Sequence, residues 1–441
     1  MGLTPRWFQL KHVPVLATLM AEPAKYNVIH AGRRAYKTES RKRRMVKTCG
    51  KSLVNPVFAG RPFRGLIGAP TRQQVKDIYW ADIKAMVPTS WTGRGGNISE
   101  VELSIRTTWG ALIQLVGMDK PQRAEGGEWD YAILDEYGDM KPDVWGEHLM
   151  PMLTERMGWG DFVGVPEGRN HYYNLHLKGV DPSFPKWASW GWSSGEVQAA
   201  EWVGERKANM DPLTAAQEMD GDFVSWTGRA YHQFDPELHC RECAYDPAAS
   251  LILCFDFNLA PGVCAICQEA EIGTTVIGEI WIPQGSNTIR VCEQIISDWG
   301  THSGPVIAYG DATGGARGTA RVRGSDWDLI RETLKTRWPD LICRVKKANP
   351  AIRSRVNAVN TRLHNSAGES RLFIDGSKAP HVAKDLDAVK NTDHGQPNEN
   401  DGDIGHISAA LGYYIDYAFP ISNIILKPTG RVYVGGGAGV A

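Results

Sequence analysis

The chain has 441 residues, of which 42% are hydrophobic and 22% charged, and its formal net charge at pH 7 is −1. The length exceeds what one hydrophobic core usually serves, which predicts two domains, and the balanced charge argues neither for nor against nucleic acid, so that any DNA contact depends on local basic patches. No apolar run approaches the roughly 18 residues of a membrane span, and residues 1–7 lack the apolar core of a signal peptide. We therefore expect a cytoplasmic protein.

The first half of the chain alternates short apolar runs with helical patterns. Strands are predicted at residues 28–30, 65–68, 111–115 and 132–134, and a helix at residues 73–87, where apolar residues recur at helical spacing. This alternation is typical of an α/β domain with a largely parallel sheet. We assign residues 1–225 to it.

A Gly- and Pro-punctuated connector is predicted at residues 226–249, followed by a second, strand-rich domain over residues 250–420. Its pattern predicts strands at 251–257, 263–268, 274–282 and 305–309, and helices at 289–299, 325–337, 350–365 and 405–417. Residues 421–441 end in a Gly-rich run and are expected to form a flexible tail.

Two Cys-x-x-Cys pairs, Cys240 with Cys243 and Cys264 with Cys267, have a spacing close to that of zinc ribbons. The second pair lies in the apolar run 263–267, which is typical of a buried strand. Residues three apart on a strand face opposite sides and cannot share a metal ion. Free thiols are therefore favoured over a zinc site.

A phosphate-binding loop is predicted between the first strand and the helix that follows it. Lys37 would reach the β- and γ-phosphates of a nucleotide, Thr38 would ligate Mg²⁺, and the backbone amides of the loop would cradle phosphate oxygens. The loop reads Ala31-Gly32-Arg33-Arg34-Ala35-Tyr36-Lys37-Thr38. It departs from the usual pattern because Ala31 and Tyr36 stand where glycine is expected, and alone it is a weak signal.

An apolar strand that ends in two acids, Asp135 and Glu136, strengthens this interpretation. Asp135 would hold the Mg²⁺ through water, and Glu136 would orient or deprotonate the attacking water. The alternative is an acidic pair that caps the next helix. Two arginines could stabilise the transferred phosphate: Arg33 within the loop, and Arg123 acting on a neighbouring subunit. The alternative for either is an ordinary solvated arginine.

A second site is predicted in the second domain. Asp256 lies at the end of an otherwise apolar strand, and Asp311 ends another, which suits a two-metal site that cleaves phosphodiesters in an RNase H-like order of strands. Residues 313–324 follow with three arginines and no acid, which favours a phosphate clamp. The alternative is a mobile surface loop.

Taken together, these residues resemble the large terminase subunit of tailed bacteriophages, and the resemblance covers nearly the whole chain. It implies an N-terminal P-loop ATPase domain and a C-terminal RNase H-like, resolvase-type nuclease domain. Residues 5–9 resemble the adenine-reading segment, which would give Gln9 the base contact. Residues 162–170 resemble the motif that couples ATP hydrolysis to movement, although Val165 replaces its hydroxyl residue, and residues 217–223 and 228–235 resemble the interdomain signature.

One departure concerns the third acid of the nuclease, which the family carries in a His-x-x-Asp-Ala-x-x-Tyr helix. Here the helix has His406, but Ala409 stands in place of the aspartate. Either the residue was changed to silence cleavage, which we favour, or Asp401 or Asp403 from the preceding loop substitutes for it.

The resemblance implies an ATP- and Mg²⁺-dependent motor, with Mn²⁺ able to serve the nuclease, that drives double-stranded DNA into a procapsid and cleaves concatemeric DNA. Its implied partners are the portal protein and the small terminase subunit, and it would act as a pentameric ring at the portal vertex in the host cytoplasm, away from any membrane. Two alternatives stay open: a helicase-like P-loop ATPase fused to a nuclease, and a catalytically degenerate module that bridges DNA and portal.

Overall fold

The structure is a computed structural model that describes residues 14–21, 24–58, 60–93, 96–124, 127–257, 260–312, 325–392, 395–399 and 404–421. The chain divides into two compact units, the first formed by Met1–Ala230 with Lys390–Asn398 and the second by Tyr231–Val389 with Glu399–Ala441. The expected connector is divided between them, because Arg229 forms a bridge with Lys390 in the first unit and Cys240 forms one with Ile374 in the second. Gln9, residues 313–324, Asp401, Asp403 and residues 422–441 lie outside the described residues.

The first unit contains an eight-stranded sheet in the order β3-β4-β5-β2-β6-β7-β1-β8. Its strands are Tyr26–Ala31 (β1), Arg64–Ala69 (β2), Asn97–Ser99 (β3), Ser104–Arg106 (β4), Leu112–Gly117 (β5), Tyr131–Asp135 (β6), Trp159–Gly164 (β7) and Trp187–Trp192 (β8). All neighbours pair in parallel except β3 with β4 and β4 with β5.

The helices of this unit are Pro14–Ala21 (α1), Lys37–Lys51 (α2), Arg72–Val75 (α3), Ala81–Met86 (α4), Met150–Thr154 (α5), His171–Val180 (α6), Ala200–Ala208 (α7) and Pro212–Ala215 (α8). A π-helical turn over Lys76–Trp80 joins α3 to α4, so the predicted helix at 73–87 is present. Every residue of β6 is buried, as expected of a parallel strand covered on both faces.

The second unit contains a six-stranded mixed sheet in the order β13-β12-β9-β10-β11-β14. Its strands are Leu251–Asp256 (β9), Gly262–Ala270 (β10), Gly273–Ile282 (β11), Val306–Gly310 (β12), Ile342–Arg344 (β13) and Leu372–Ile374 (β14). Its helices are Pro236–His239 (α9), Thr288–Trp299 (α10), Asp326–Leu334 (α11), Ile352–Leu363 (α12), Pro380–Ala388 (α13) and His406–Ala418 (α14). Strands β9, β10 and β11 form antiparallel pairs, whereas β12 runs parallel to β9.

These two sheets confirm the predicted fold class, a mostly parallel α/β unit followed by a mixed RNase H-like unit. The strand expected at Cys264 and Cys267 is present as part of β10, and both side chains are buried. Within the described ranges, no helix is both long and apolar enough to cross a membrane.

Candidate functional site

The predicted phosphate-binding loop lies between the end of β1 and the start of α2. Arg34 and Tyr36 adopt left-handed backbone angles, with φ of 58° and 62°, which turn the chain so that α2 begins at Lys37. Gly32 is required by close approach, because a Cβ there would collide with Met219 O and Ser194 Oγ. The loop is therefore a tight turn that presents a helix N-terminus, which is the arrangement that binds phosphate.

Lys37 is 7% exposed, and its Nζ lies 3.4 Å from Ala31 O. Burial lowers the pKa of Lys37, while the nearby carboxylates of Glu136 and Asp135 oppose that effect. A buried ammonium group with one backbone carbonyl partner is poorly solvated, so an anionic ligand in the loop would stabilise its charged form.

The hydroxyl of Thr38 donates a hydrogen bond to Asp135 Oδ2 over 3.1 Å, and the hydroxyl of Tyr79 donates to the same oxygen over 2.8 Å. Asp135 is 1% exposed. Its pKa is raised to about 6 because it is buried and because Glu136 stands beside it. A hydroxyl and a carboxylate held together at the phosphate-binding loop are oxygen ligands that fit Mg²⁺.

Glu136 follows β6 directly and adopts a left-handed backbone, with φ of 50°. Its carboxylate lies beside the end of β7, since a Cβ on Gly164 would stand 3.6 Å from Glu136 Oε2. This turn separates the two acids, so that Asp135 faces Thr38 while Glu136 adjoins the segment that resembles the coupling motif.

Arg33 is anchored by a residue that the sequence did not assign to this site. Its guanidinium forms an ion pair with Glu218, and its backbone N–H donates to Glu218 O over 2.8 Å. The neighbouring Gln217 accepts through Oε1 from the backbone N–H of Gly168 over 3.2 Å. Residues 217 and 218, expected in an interdomain signature, thus contact the phosphate-binding loop and the coupling segment of their own unit.

An open cleft of about 470 Å³ surrounds the loop. Its lining includes loop and helix residues together with one side chain from a separate segment, namely Arg34, Ala35, Tyr36, Lys37, Thr38, Glu39, Lys42 and Gln198. The amide of Gln198 donates to Arg34 O over 2.7 Å. Gln198 and Tyr79 carry no local sequence motif, and the motif that contains Glu218 was expected between the domains, so only the fold brings these three residues to the site.

Arg123 lies apart from that lining, at the end of the short turn Pro121–Arg123 that follows β5. Its side chain is exposed, and with Arg72 it lines a second cleft of about 450 Å³. An exposed arginine outside the nucleotide cleft of its own unit is compatible with a role toward another subunit.

In the second unit, Asp256 is the last residue of β9 and Asp311 comes directly after β12. The two strands are parallel neighbours in which Gly310 pairs with Phe255, so the two acids leave adjacent strand ends at the same level. Asn349 Nδ2 donates to Asp311 Oδ1 over 2.6 Å. Two carboxylates at adjacent strand ends are a set of oxygen donors that fits a divalent cation.

Helix α14 brings His406 to this pair, with His406 Nδ1 3.5 Å from Asp256 Oδ2. Ala409 lies three residues further along, on the same face, and is 5% exposed. The start of the helix is held by Asp385, whose Oδ2 accepts from Gly405 N over 2.9 Å and from Ser408 N over 3.2 Å.

Three further residues adjoin these acids without having been predicted. Burial raises the pKa of Tyr413, Arg355 opposes this, and the charges of Asp311 and Asp256 act in the same direction as burial. Burial also raises the pKa of Glu399, with Asp256 adding to the effect and Arg355 opposing it. The charge of Asp256 thus acts on Tyr413, Glu399 and Arg355, and that of Asp311 acts on Tyr413.

No protein-family model matches the chain. The chain is 29% identical over 132 residues to the large terminase subunit of Thermus virus P23-45, and this match covers 26% of this chain and 27% of that protein. It is 28% identical over 132 residues to the large terminase subunit of Thermus phage G20c. The matched region thus spans about a quarter of these curated relatives.

A large terminase from a thermophilic bacteriophage, solved in several crystal forms, superposes on the chain with a TM-score of 0.57, at 12% identity, over 92% of this chain and 99% of that one. At such identity the likeness concerns the fold. The resemblance to the large terminase subunits of tailed bacteriophages that the motifs predict is therefore confirmed, in sequence over part of the chain and in fold over nearly all of it.

Proposed function

We propose that this chain is the motor and nuclease subunit of a phage DNA-packaging machine. Its first unit would hydrolyse ATP to drive double-stranded DNA into a procapsid, and its second would cleave concatemeric DNA with divalent metal ions. The large terminase of the thermophilic bacteriophage described above has been solved in complex with ATP-γ-S and with ADP, which supports nucleotide binding by the same fold here.

The observation that carries the proposal is the hydrogen bond between Thr38 and Asp135, which joins two motifs 97 residues apart. With Lys37 and Glu136 beside them, these residues would bind the phosphates, hold Mg²⁺ and activate water. Bound ATP and Mg²⁺ would supply the reactive phosphoryl group, and these side chains would orient it.

In the assembled machine we propose a ring of subunits at the portal vertex, in the host cytoplasm, that receives DNA from a small terminase subunit. Arg33 would stabilise the γ-phosphate from within the subunit, and Arg123 from the neighbouring one. In the second unit, Asp256 and Asp311 would bind the metal ions, Mg²⁺ or Mn²⁺, and His406 would adjoin them.

ATP turnover and binding by two variants test the motor. Glu136→Gln should bind ATP nearly as the parent does but turn it over slower by orders of magnitude, because only water activation is lost. Lys37→Ala should bind ATP more weakly. Normal turnover in Glu136→Gln, or normal ATP binding in Lys37→Ala, would contradict the proposed ATPase site.

Further measurements distinguish a packaging motor from the two alternatives, a helicase-like ATPase and a degenerate bridging module. A helicase-like ATPase would displace one strand of a duplex during ATP turnover, whereas a packaging motor moves intact duplex into procapsids. A degenerate bridging module, which the alanine at position 409 favours for the nuclease, would show neither ATP turnover nor metal-dependent cleavage of plasmid DNA.

A further inference from the structure

Glu399 lies against the start of α14, where its backbone contacts Gly405. A Cβ on Gly405 would stand 2.7 Å from the Cα of Glu399, so only glycine leaves room for this approach, and Gly405 has the positive φ of 101°. His406 follows directly and is 3.5 Å from Asp256. The backbone of Glu399 is therefore held beside the proposed metal centre.

The side chain of Glu399 binds an arginine that also binds the backbone of Ala409. One terminal nitrogen of Arg355 donates to Glu399 Oε2 over 2.5 Å, and the other donates to Ala409 O over 3.0 Å. Because the guanidinium is a rigid fork, the two acceptors lie next to one another. The carboxylate of Glu399 and the backbone of position 409, at which the family has aspartate, are thus held by the same guanidinium.

The position of Arg355 itself is fixed by packing. Its guanidinium lies 4.2 Å from the centre of the Tyr413 ring. A Cβ on Gly412 would be 2.6 Å from Arg355 Cγ, so the absence of a side chain at 412 makes room for the arginine. Arg355 is 3% exposed, and this packing keeps its fork in one orientation.

One oxygen of Glu399 has no partner within the part of the chain that the structure describes. The side chain is 10% exposed, and its Oε1 is buried without a hydrogen bond to any of those residues. A buried carboxylate oxygen in this state costs free energy, because its lost hydration is not replaced by a hydrogen bond. A cation bound between Glu399 and Asp256 would remove that cost and offset the repulsion between them.

We propose that Glu399 is the third carboxylate ligand of the nuclease metal centre, in the place that the aspartate at position 409 takes in the family. The inference rests on the proposed nuclease function. With Arg355 counted, Asp256, Asp311 and Glu399 carry a net charge of about −2, which matches one divalent cation. Ala409 is then compatible with metal binding, because the acid comes from residue 399.

This assignment is tested by measuring Mn²⁺ binding to the full chain, without nucleotide, by electron paramagnetic resonance and calorimetry. Glu399→Gln should weaken Mn²⁺ binding about tenfold or more, because it removes one charged ligand. Glu399→Asp should restore part of the affinity. Ala409→Asp should change affinity by less than about threefold, because Glu399 already supplies the third carboxylate. Glu369→Gln, which alters an exposed acid of the same unit, is the matched control and should bind Mn²⁺ as the parent does.

Asp256→Asn distinguishes an error in the proposed metal centre from an error in the assignment of Glu399 alone. If it leaves Mn²⁺ binding unchanged, the proposed nuclease centre is wrong. If Asp256→Asn weakens binding but Glu399→Gln does not, the centre stands and the assignment of Glu399 is overturned. A cooperative melting transition shows in the same samples that each variant is folded, and the increase in melting temperature on adding Mn²⁺ should be lost in Glu399→Gln but kept in Glu369→Gln.

Discussion

Glu218 forms an ion pair with Arg33 across 185 residues of sequence. The arginine of the phosphate-binding loop is thus held by a carboxylate, and the γ-phosphate of ATP would have to compete for it. Glu218→Gln should therefore lower the KM for ATP several-fold, since a partly buried charged hydrogen bond contributes about 1–3 kcal/mol. Steady-state ATPase kinetics measure this directly.

Glu218→Asp keeps the charge, so its KM for ATP is expected to stay close to that of the parent. Glu100→Gln, which removes an exposed ion pair with Lys84, is the control and should leave KM unchanged. A rise in KM for Glu218→Gln would show that Glu218 supports the active arrangement of Arg33 instead of competing with the phosphate.

Gly32 offers a test of the tight loop. Gly32→Ala places a methyl group onto Met219 O and Ser194 Oγ, so the loop must open, and ATP affinity should fall at least tenfold together with the melting temperature. Gly204→Ala is the control, because a Cβ there meets nothing within 4 Å and an alanine within α7 should stabilise by about 0.5–1 kcal/mol. Equal effects of the two substitutions would mean that the close approach at Gly32 is unimportant.

Arg123 is expected to act only where subunits meet. Arg123→Ala should leave the low ATP turnover of dilute protein unchanged and reduce turnover on procapsids by about a hundredfold or more, as the loss of an arginine finger does elsewhere. Arg106→Ala, which alters another exposed arginine of the same unit, should have no effect. An equal loss in dilute protein would place Arg123 in its own subunit's site or in the fold.

The raised pKa of Asp135 predicts a pH dependence of stability. This carboxyl group loses its proton near pH 6 in the folded protein, but near pH 4 in an unfolded chain. Because the folded state binds the proton more tightly, this group lowers the free energy of unfolding as the pH rises from about 4 to about 6. Asp135→Asn should therefore raise the melting temperature, without nucleotide or metal, by on the order of 5 °C at about pH 7.5.

That gain should shrink at about pH 4.5, where the parent carboxyl group is itself protonated. Asp77→Asn, at an exposed position, should show no such dependence. A gain of the same size at both pH values would attribute the stabilisation to something other than the buried charge.

Much of the fold could be predicted because apolar runs mark its buried strands. The strand expected at 132–134 is part of β6, which is buried throughout, and Lys37 and Thr38 predict a phosphate-binding loop because they follow a predicted strand. Strand β8 escaped notice because its residues are mostly half-buried and show neither an apolar run nor regular alternation.

The partners of the predicted site residues could not be found in the same way. Tyr79 reaches Asp135 from a helix 56 residues earlier, and Arg355 reaches Glu399 from a helix 44 residues earlier. Such contacts depend on how helices pack, and no local spacing encodes them. Position 409 illustrates the same difficulty, since the sequence revealed a missing acid but gave no sign of Glu399, which we propose in its place.

The bridge between Arg229 and Lys390 has a consequence for how the chain can be divided. Residues 231–389 of the second unit are inserted into the first, because the chain leaves the first unit after Ala230, returns for Lys390–Asn398 and then leaves again for the rest of the second unit. A fragment that ends at residue 230 would lack this returning strip. The strip also ends one peptide bond before Glu399, so a displacement of the strip would act through the covalent backbone on a carboxylate of the proposed metal centre.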